Sequence, residues 1–498
     1  MIAGPLIWKL NLAIAFLGLG FAAELASAQP YNADPSSVKF TTLYSFDGTD
    51  GANPQTALVQ ATNGELYGTT LGELLPPCVP GGVCGTVFKI SPSGKLTSLH
   101  SFCTQNGCPD GELPYSGLVQ ATNGDLYGMT QAGGAHGGGT IFKITPNGTL
   151  KTLHSFCAQS GCGDGQTPVA TLLPAANGDL YGITYAGGSH SAGTVFKIAP
   201  NGTLTTLHSF CAQSNCTDGQ HPSGGLAKAT HGDLYGITQA GGRGGGTVFK
   251  ITPAGTLTTL YSFCAENACS DGQFPQGLLL QATNGDFYGT TQSGGRGGGT
   301  IFKITPAATL TTLYSFCAEN ACTDGQQPSG GLVQATNGDL YGTSTFGGAN
   351  CSPKGCGTIF KITPRGALTT LYSFCAQTLC RDGFYPAGGL VQDTNGKLYG
   401  TTVTGGANGG GTVFKLSLGL MVFVEARPTS GQIGEAVKIL GTNLTGATSV
   451  TFNGIAAAFT VDSSSEISTT VPAGATTGQV QVTTAAGTLS SNIAFRVP

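Results

Sequence analysis

From Val38 to Ser417 the chain alternates short apolar runs with interruptions rich in glycine, proline and asparagine, and it lacks the 3.6-residue period of a helix. One stretch shows the pattern. Gly117 to Thr122 reads as a strand, Asn123-Gly124 as a tight hairpin turn, and Asp125 to Thr130 as a second strand. A glycine-rich loop, Gly133 to Gly139, leads to a third strand over Thr140 to Thr145. Pro146-Asn147-Gly148 then turns the chain into a fourth, Thr149 to Phe156. We name these strands A to D. β-Branched and aromatic side chains fill them, as suits a pleated and packed surface.

The unit recurs. A Tyr-Gly pair has its Tyr at 67, 127, 181, 235, 288, 341 and 399, at spacings of 60, 54, 54, 53, 53 and 58 residues. A Ser-Phe pair that ends strand D and a Gly-Thr-Val/Ile-Phe-Lys string along strand C also occur seven times each. Four strands in fifty-odd residues predict the blade of a β-propeller; a parallel β-helix needs shorter repeats and a helical solenoid needs helical periodicity. The region opens on Val38 to Phe46, which matches strand D, and ends on Thr412 to Ser417, which matches strand C. Pairing the two gives the last blade its outer strand and closes seven blades into a ring with few open edges. Packed blades bury their middle strands on both sides, so Tyr127 fills one side while Gly128 leaves room on the other.

The repeat stops after 417, and over 418–498 cysteine and histidine vanish. Ala436 to Ile439, Ser449 to Phe452, Ile467 to Val471 and Gln479 to Thr483 read as strands of a small immunoglobulin-like β-sandwich. The fold class is therefore all-β, a seven-bladed propeller over 38–417 followed by this sandwich.

Strings such as GLVQATNGDLYGTSTFGGANCSPKGCGTIFKITPRGALTTLYSF resemble the bacterial GloVer tandem repeat, a family of exported proteins. The likeness spans all seven units in the DG…P, LYG-T, GG and GT-[VI]-F-K elements. It implies an exported repeat protein and carries no catalytic residues with it. The segments PTSGQIGEAVKILGTNLTGATSVTFNG and VPAGATTGQVQVTTAAGTLSSNIAFRV are similar to the IPT/TIG immunoglobulin-like module. Some relatives of that module bind DNA, but here Arg427, Lys438 and Arg496 are the only basic residues, too few for a phosphate-binding surface.

Composition narrows the function. Of 498 residues only 9% are charged, and 21 Lys+Arg against 25 Asp+Glu give a net charge of −4. That balance leaves no electrostatic footprint for nucleic acid. Residues 1–28 read as a secretory signal: Lys9, an apolar run from Leu10 to Ala23, and the cleavage pattern Ala26-Ser27-Ala28. Residues 29–37 form a linker, and no later segment has the makings of a membrane span. The expected location is outside the cell or on its surface.

In an oxidising compartment, an even number of closely spaced cysteines predicts local disulfides. Six pairs follow strand D: Cys103 with Cys108, Cys157 with Cys162, Cys211 with Cys216, Cys264 with Cys269, Cys317 with Cys322 and Cys375 with Cys380. Two more, Cys78 with Cys84 and Cys351 with Cys356, sit in B–C loops. Zinc is disfavoured because the spacing is wrong and no histidine recurs beside them. His100, His154 and His208 share a strand-D position with Tyr44, Tyr261, Tyr314 and Tyr372, which marks a packing site. Carboxylates at the start of strand B and lysines at the end of strand C predict an ion pair in six blades, with Lys397 breaking the pattern in the last. A second series, Asp50, Asp110, Asp164, Asp218, Asp271, Asp324 and Asp382, always precedes glycine and reads as turn caps. Calcium at Asp47 and Asp50 is a weak candidate, since a calcium site needs six or more oxygens; no other cofactor is implied.

No nucleophile–base arrangement emerges, and a glycosidase needs two convergent carboxylates where Glu73 and Glu112 stand without partners. The leading reading is a non-enzymatic module that binds or scaffolds an extracellular protein or glycan. The alternative is a polysaccharide-acting enzyme or lectin that uses the same loops. Ligand contact is expected on the face of the D–A and B–C loops, with Glu73, Arg243, Arg296, Asn350 and Lys354 as candidates. The irregular B–C loops Leu71–Gly85 and Phe346–Gly357 flank the last blade there.

Overall fold

The computed structural model describes residues 38–72, 84–175, 177–229, 232–351 and 353–498. The export signal read at 1–28 and the linker at 29–37 lie outside these residues, as do Glu73 and Cys78. The described residues form nine four-stranded antiparallel sheets and only five three-residue 3-10 turns. Among them no helix is long and apolar enough to cross a membrane.

Seven sheets are built from the repeat. In the first, Val59–Gln60, Leu66–Thr70, Thr86–Ile90 and Leu96–Ser101 lie side by side in chain order. In the last, Val391–Gln392, Leu398–Thr402 and Thr412–Ser417 take Lys39–Ser45 as their fourth strand. Lys39 pairs with Ser417 and Ser45 with Thr412, the register expected from the sequence match.

The repeated motifs now have physical reasons. Strand B is buried along its whole length in the first repeat, with Tyr67 and its strand-C neighbour Phe88 fully inaccessible. Gly68 pairs with Phe88, and a Cβ on it would lie 2.6 Å from the Phe88 ring and 2.7 Å from Leu58. Only glycine lets the ring lie flat across the strand. A second contact joins successive repeats. The glycine opening each Gly-Thr-Val/Ile-Phe-Lys string packs under the proline of the next repeat, as in Gly85 under Pro114 and Gly139 under Pro168. Gly411, in the last repeat, packs under Pro54 in the first. One apolar cluster likewise joins Phe46, Leu58, Leu66 and Phe88 to Tyr399 and Val413, so first and last repeats share a core.

The six carboxylate–lysine pairs form, from Glu65–Lys89 to Asp339–Lys361, at 2.9 to 3.7 Å. In the last repeat burial, helped by Lys397 and Lys39, pushes the Lys415 ammonium below its usual pKa. At the same end of the sheets, strand-A glutamines bridge repeats. Gln120 Oε1 accepts the Thr62 N–H at 2.9 Å, and Gln60 Oε1 accepts the Thr394 N–H at 3.0 Å. Strand A departs from expectation. It is two residues long in four repeats but nine in the third, fourth and fifth, such as Gln166–Pro174, where an irregular register carries the pairing past the bend.

Beyond the repeat, Glu425–Arg427, Ala436–Leu440, Glu466–Thr470 and Phe459–Val461 contribute to one sheet. Ile455–Ala456, Ser449–Phe452, Val480–Thr484 and Gly487–Ser490 form the other. They share a core that includes Val437, Ile439, Val450, Ile467, Val480 and Val482. Leu418 and Leu420 instead pack into the last repeats, with Leu398 and Phe414. The C-terminal sheets rest on the A–B turns. Phe423 N–H donates to the Thr394 carbonyl at 3.1 Å, Ser465 Oγ to that of Thr62 at 2.8 Å, and Asn492 Nδ2 to that of Gln334 at 3.0 Å.

Candidate binding site

The end of the repeat sheets opposite the A–B turns carries the D–A and B–C loops. Each strand D ends in a fully buried phenylalanine, after which the chain must return to the next strand A. In six repeats that return is clipped by a disulfide. Cys103 bonds to Cys108, Cys157 to Cys162 and Cys211 to Cys216. Cys264 bonds to Cys269, Cys317 to Cys322 and Cys375 to Cys380, each across five positions as the spacing predicts. Cys351 and Cys356 clip a B–C loop in the same way. Cys84 is buried close to Cys103, and its expected partner Cys78 lies outside the described residues.

Two series read separately in the sequence prove to be one device. The strand-D ring and the Asp before glycine bond to each other in all seven repeats. Histidine serves in His100–Asp110, His154–Asp164 and His208–Asp218, at 2.9 to 3.1 Å. Tyrosine serves in Tyr44–Asp50, Tyr261–Asp271, Tyr314–Asp324 and Tyr372–Asp382. The same carboxylate accepts backbone N–H groups of the clipped loop, as Asp164 does from Ala158 and Gln159. Burial, reinforced by the bonded carboxylate, raises the Tyr44 hydroxyl to about 12. A single spacing of ten residues between ring and Asp, in every clipped repeat, was the signal. Asp47 and Asp50, the calcium candidates, are engaged locally. Asp47 accepts from Thr49 at 2.9 and 2.7 Å, and Asp50 from the Asp47 N–H and the Tyr44 hydroxyl.

After the Asp the chain passes a residue held at positive φ: Asn53, Leu113, Thr167, His221, Phe274, Gln327 and Tyr385, with φ between 55 and 58°. Six of these seven are residue types that adopt this conformation at a cost of about 1 kcal/mol or more. The turn is held by the backbone. Each residue's N–H donates to a carbonyl in the preceding repeat's B–C loop at 2.8 to 3.1 Å, and Asn53 donates to Gly410 of the last repeat.

These turns deliver the strand-A segments of all seven repeats to one cavity of about 500 Å³. Gln55, Tyr115, Val169, Ser223, Gln276, Ser329 and Ala387, one per repeat, line it. Gln131, just past strand B, and Tyr185 and Gln239, near the end of theirs, add to the rim. The Tyr185 ring stacks on His221 with centroids 4.6 Å apart, and its hydroxyl donates to Gln239 Oε1 at 3.1 Å. Burial raises the Tyr115 hydroxyl above its ordinary pKa. Gln276 Oε1 is buried and accepts no hydrogen bond among the described residues. Among the described residues the lining contains no Asp, Glu, Lys, Arg, His or Cys. Such a surface can bind by hydrogen bonding and ring contact, and it supplies no general acid–base pair of carboxylates.

The charged candidates stand elsewhere. Arg243, Arg296 and Lys354 are exposed on B–C loops, away from the cavity lining. Asn350 is spent on the fold, its Nδ2 donating to the carbonyls of Ser373 and Phe374 at 3.1 and 3.0 Å. Glu112 lies beside Cys103 and Cys84, outside the cavity lining. The sequence reading missed the cavity residues because they sit in short, irregular segments whose convergence depends on packing between repeats.

The Gloeobacter/Verrucomicrobia repeat matches this sequence over residues 30–163, 81–280 and 264–461. The chain belongs to that repeat family. Its Gloeobacter/Verrucomicrobia repeats build a propeller-like, all-β fold. A fungal alcohol oxidase of the AA5 family, solved in complex with copper, is 12% identical at a TM-score of 0.52, covering 92% of this chain and 98% of its own. A putative 6-phosphogluconolactonase from Bacteroides fragilis is 16% identical at a TM-score of 0.44, covering 76% and 92%. At such identities the likeness is one of fold alone. No curated protein matches the chain.

Proposed function

We propose that this Gloeobacter/Verrucomicrobia repeat protein is an exported binding module. In this reading residues 38–417 are a seven-bladed propeller closed by its N-terminal strand, and 418–498 are an IPT/TIG-type, immunoglobulin-like domain. Residues 1–28 direct export. The protein works outside the cell or on its surface, gripping an extracellular protein or glycan. The observation that carries this is the cavity: all seven repeats contribute to it, and its described lining residues are all uncharged. The seven local disulfides support an oxidising location. The C-terminal sheets occupy the A–B turns, which leaves the loop end as the working face. Among the described residues the cavity lining offers neither imidazole, thiolate nor carboxylate to match the copper of the fungal oxidase.

The test is retention of the purified mature chain on arrays of envelope proteins and of polysaccharides, beside turnover assays on the same polysaccharides. Saturable retention without product is the expected outcome. Release of reducing sugar, or no retention on either array, overturns the reading.

A further inference from the structure

Three positions of the repeat change from copy to copy inside a frame that does not. The Asp-Gly before and the proline between them are the same in all seven repeats. The residue before the proline is Asn, Leu, Thr, His, Phe, Gln or Tyr, a different type each time. The residue after it runs Gln, Tyr, Val, Ser, Gln, Ser, Ala, and the residue at the end of strand B runs Leu, Gln, Tyr, Gln, Gln, Thr, Val. They reach the cavity unequally, and Gln131, Tyr185 and Gln239 represent the third position there. The residue after the proline lines it in every repeat, and Thr167 joins from before the proline. The backbone N–H of the residue before the proline ties the turn to the preceding repeat whatever side chain it carries, so the residue type is free to vary. Glycine would sit there without strain, and the chain has 81 glycines, yet none is placed at this position.

There the side chains serve the fold, Asn53 Nδ2 donating to the Gly72 carbonyl and Tyr385 packing on Phe346, so the positions open to a ligand are the cavity-lining ones after the proline and at the end of strand B. We propose that these positions form a recognition ring for an uncharged, hydroxyl-rich ligand, a neutral oligosaccharide. The inference rests on the binding-module reading and names its ligand class. None of the residues at these positions is Asp, Glu, Lys or Arg, so a charged ligand entering the cavity loses hydration and gains no counter-charge. A purely apolar ligand dehydrates the amides and hydroxyls of the lining to no gain. Sugar hydroxyls pair with the polar groups that line the cavity, Gln55, Gln131, Ser223, Gln239, Gln276 and Ser329. These amides and serine hydroxyls both donate and accept, which matches the mixed character of hydroxyl groups. Tyr115 and Leu278, the latter 40% exposed, supply surface for the C–H faces of a sugar ring. The cavity falls within the range of about 300–1,000 Å³ that suits a small ligand or a segment of a larger one.

The test is calorimetric titration of the full mature chain with oligomers of glucose, mannose and galactose, and with galacturonate oligomers as the charged comparison. Gln276→Leu and the near-isosteric Gln276→Glu are read beside Arg243→Ser on an exposed loop, with melting midpoints confirming that each variant folds. The expected result is binding of a neutral oligomer, weakened at least tenfold by both Gln276 substitutions and unchanged by Arg243→Ser. Binding of galacturonate alone, or neutral binding that survives both Gln276 substitutions, overturns the inference. Absence of oligosaccharide binding also overturns it. In that case retention on envelope proteins separates failure of the ligand class from failure of the binding-module reading.

Discussion

Replacing Phe46 by Ala tests whether the N-terminal strand is an integral part of the repeat core or an appendage to it. Phe46 is fully buried and packs edge-on against Phe88 of the first repeat, with ring centroids 5.2 Å apart. Its cluster also holds Tyr399 and Val413 of the last repeat, so the truncation opens a void where the two ends of the repeat region meet. A buried Phe→Ala change costs about 3–5 kcal/mol, most of it lost transfer energy and the unfilled cavity. Phe210 holds the equivalent place between inner repeats, packed on Phe249 at 5.2 Å, and is the internal reference. Urea melts of the mature chain with disulfides intact should show equal losses for Phe46→Ala and Phe210→Ala, at an unchanged slope. A frayed terminal strand behaves differently, losing less than about 1 kcal/mol, as terminal segments open locally before the rest. If Phe46→Ala melts like wild type while Phe210→Ala loses about 3 kcal/mol or more, the joining of the two ends contributes nothing and the reasoning fails.

Asp271→Ala strips the partner from the Tyr261 hydroxyl and from two backbone N–H groups, and should cost about 3 kcal/mol in the same melts. His154→Tyr, which installs the ring used in four sister repeats, should stay within about 1 kcal/mol of wild type. Asp393 is 1% exposed, and burial pushes its carboxyl up to about 6 against an ordinary 3.8, only partly offset by the Asn395 N–H and the Gln60 amide. The folded chain therefore holds a proton that the unfolded chain releases between about pH 4 and 6. Stability falls as pH rises through that window, by roughly 3 kcal/mol at pH 7. Asp393→Asn should remove that fall from a series of melts at pH 4 to 7, and parallel profiles for the two proteins refute the assignment. Replacing Cys264 and Cys269 together by Ser should lower stability by about 2 kcal/mol, the entropy of one very short closed loop.

Much of the repeat was legible because its information is local. Alternation along strands, an Asn-Gly turn and a Tyr-Gly pair recur at fixed spacing, and each motif acts on its immediate neighbours in the sheet. The pairing of Lys39–Ser45 with Thr412–Ser417 was legible for another reason: a D-like strand at one end and a missing D strand at the other are complementary. The carboxylate–lysine pairs followed from hairpin register. The ring–Asp bonds were not read. Each series had its own sufficient explanation, packing for one and turn capping for the other, and only geometry joins them. The cavity was less legible still. Its residues look like drift in a linker, and attention falls on charged loop residues such as Arg243 and Lys354, which the fold leaves on the outside.

The strand pairing at Lys39 and Ser417 has a consequence for the order in which the molecule is made. A chain emerges amino end first, so the opening strand arrives before every other element and its hydrogen-bonding partner arrives after the last repeat. Each inner sheet assembles as soon as its own fifty-odd residues are out, and each cysteine clip needs only its near neighbour. The opening strand must wait with one edge unpaired, a state prone to joining the wrong chain. Joining ends so far apart adds an entropic delay that no local contact relieves. Assembly of this molecule is thus sequential through its middle and conditional at its ends, with the strand Lys39–Ser45 made before its sheet and among the last to find its place.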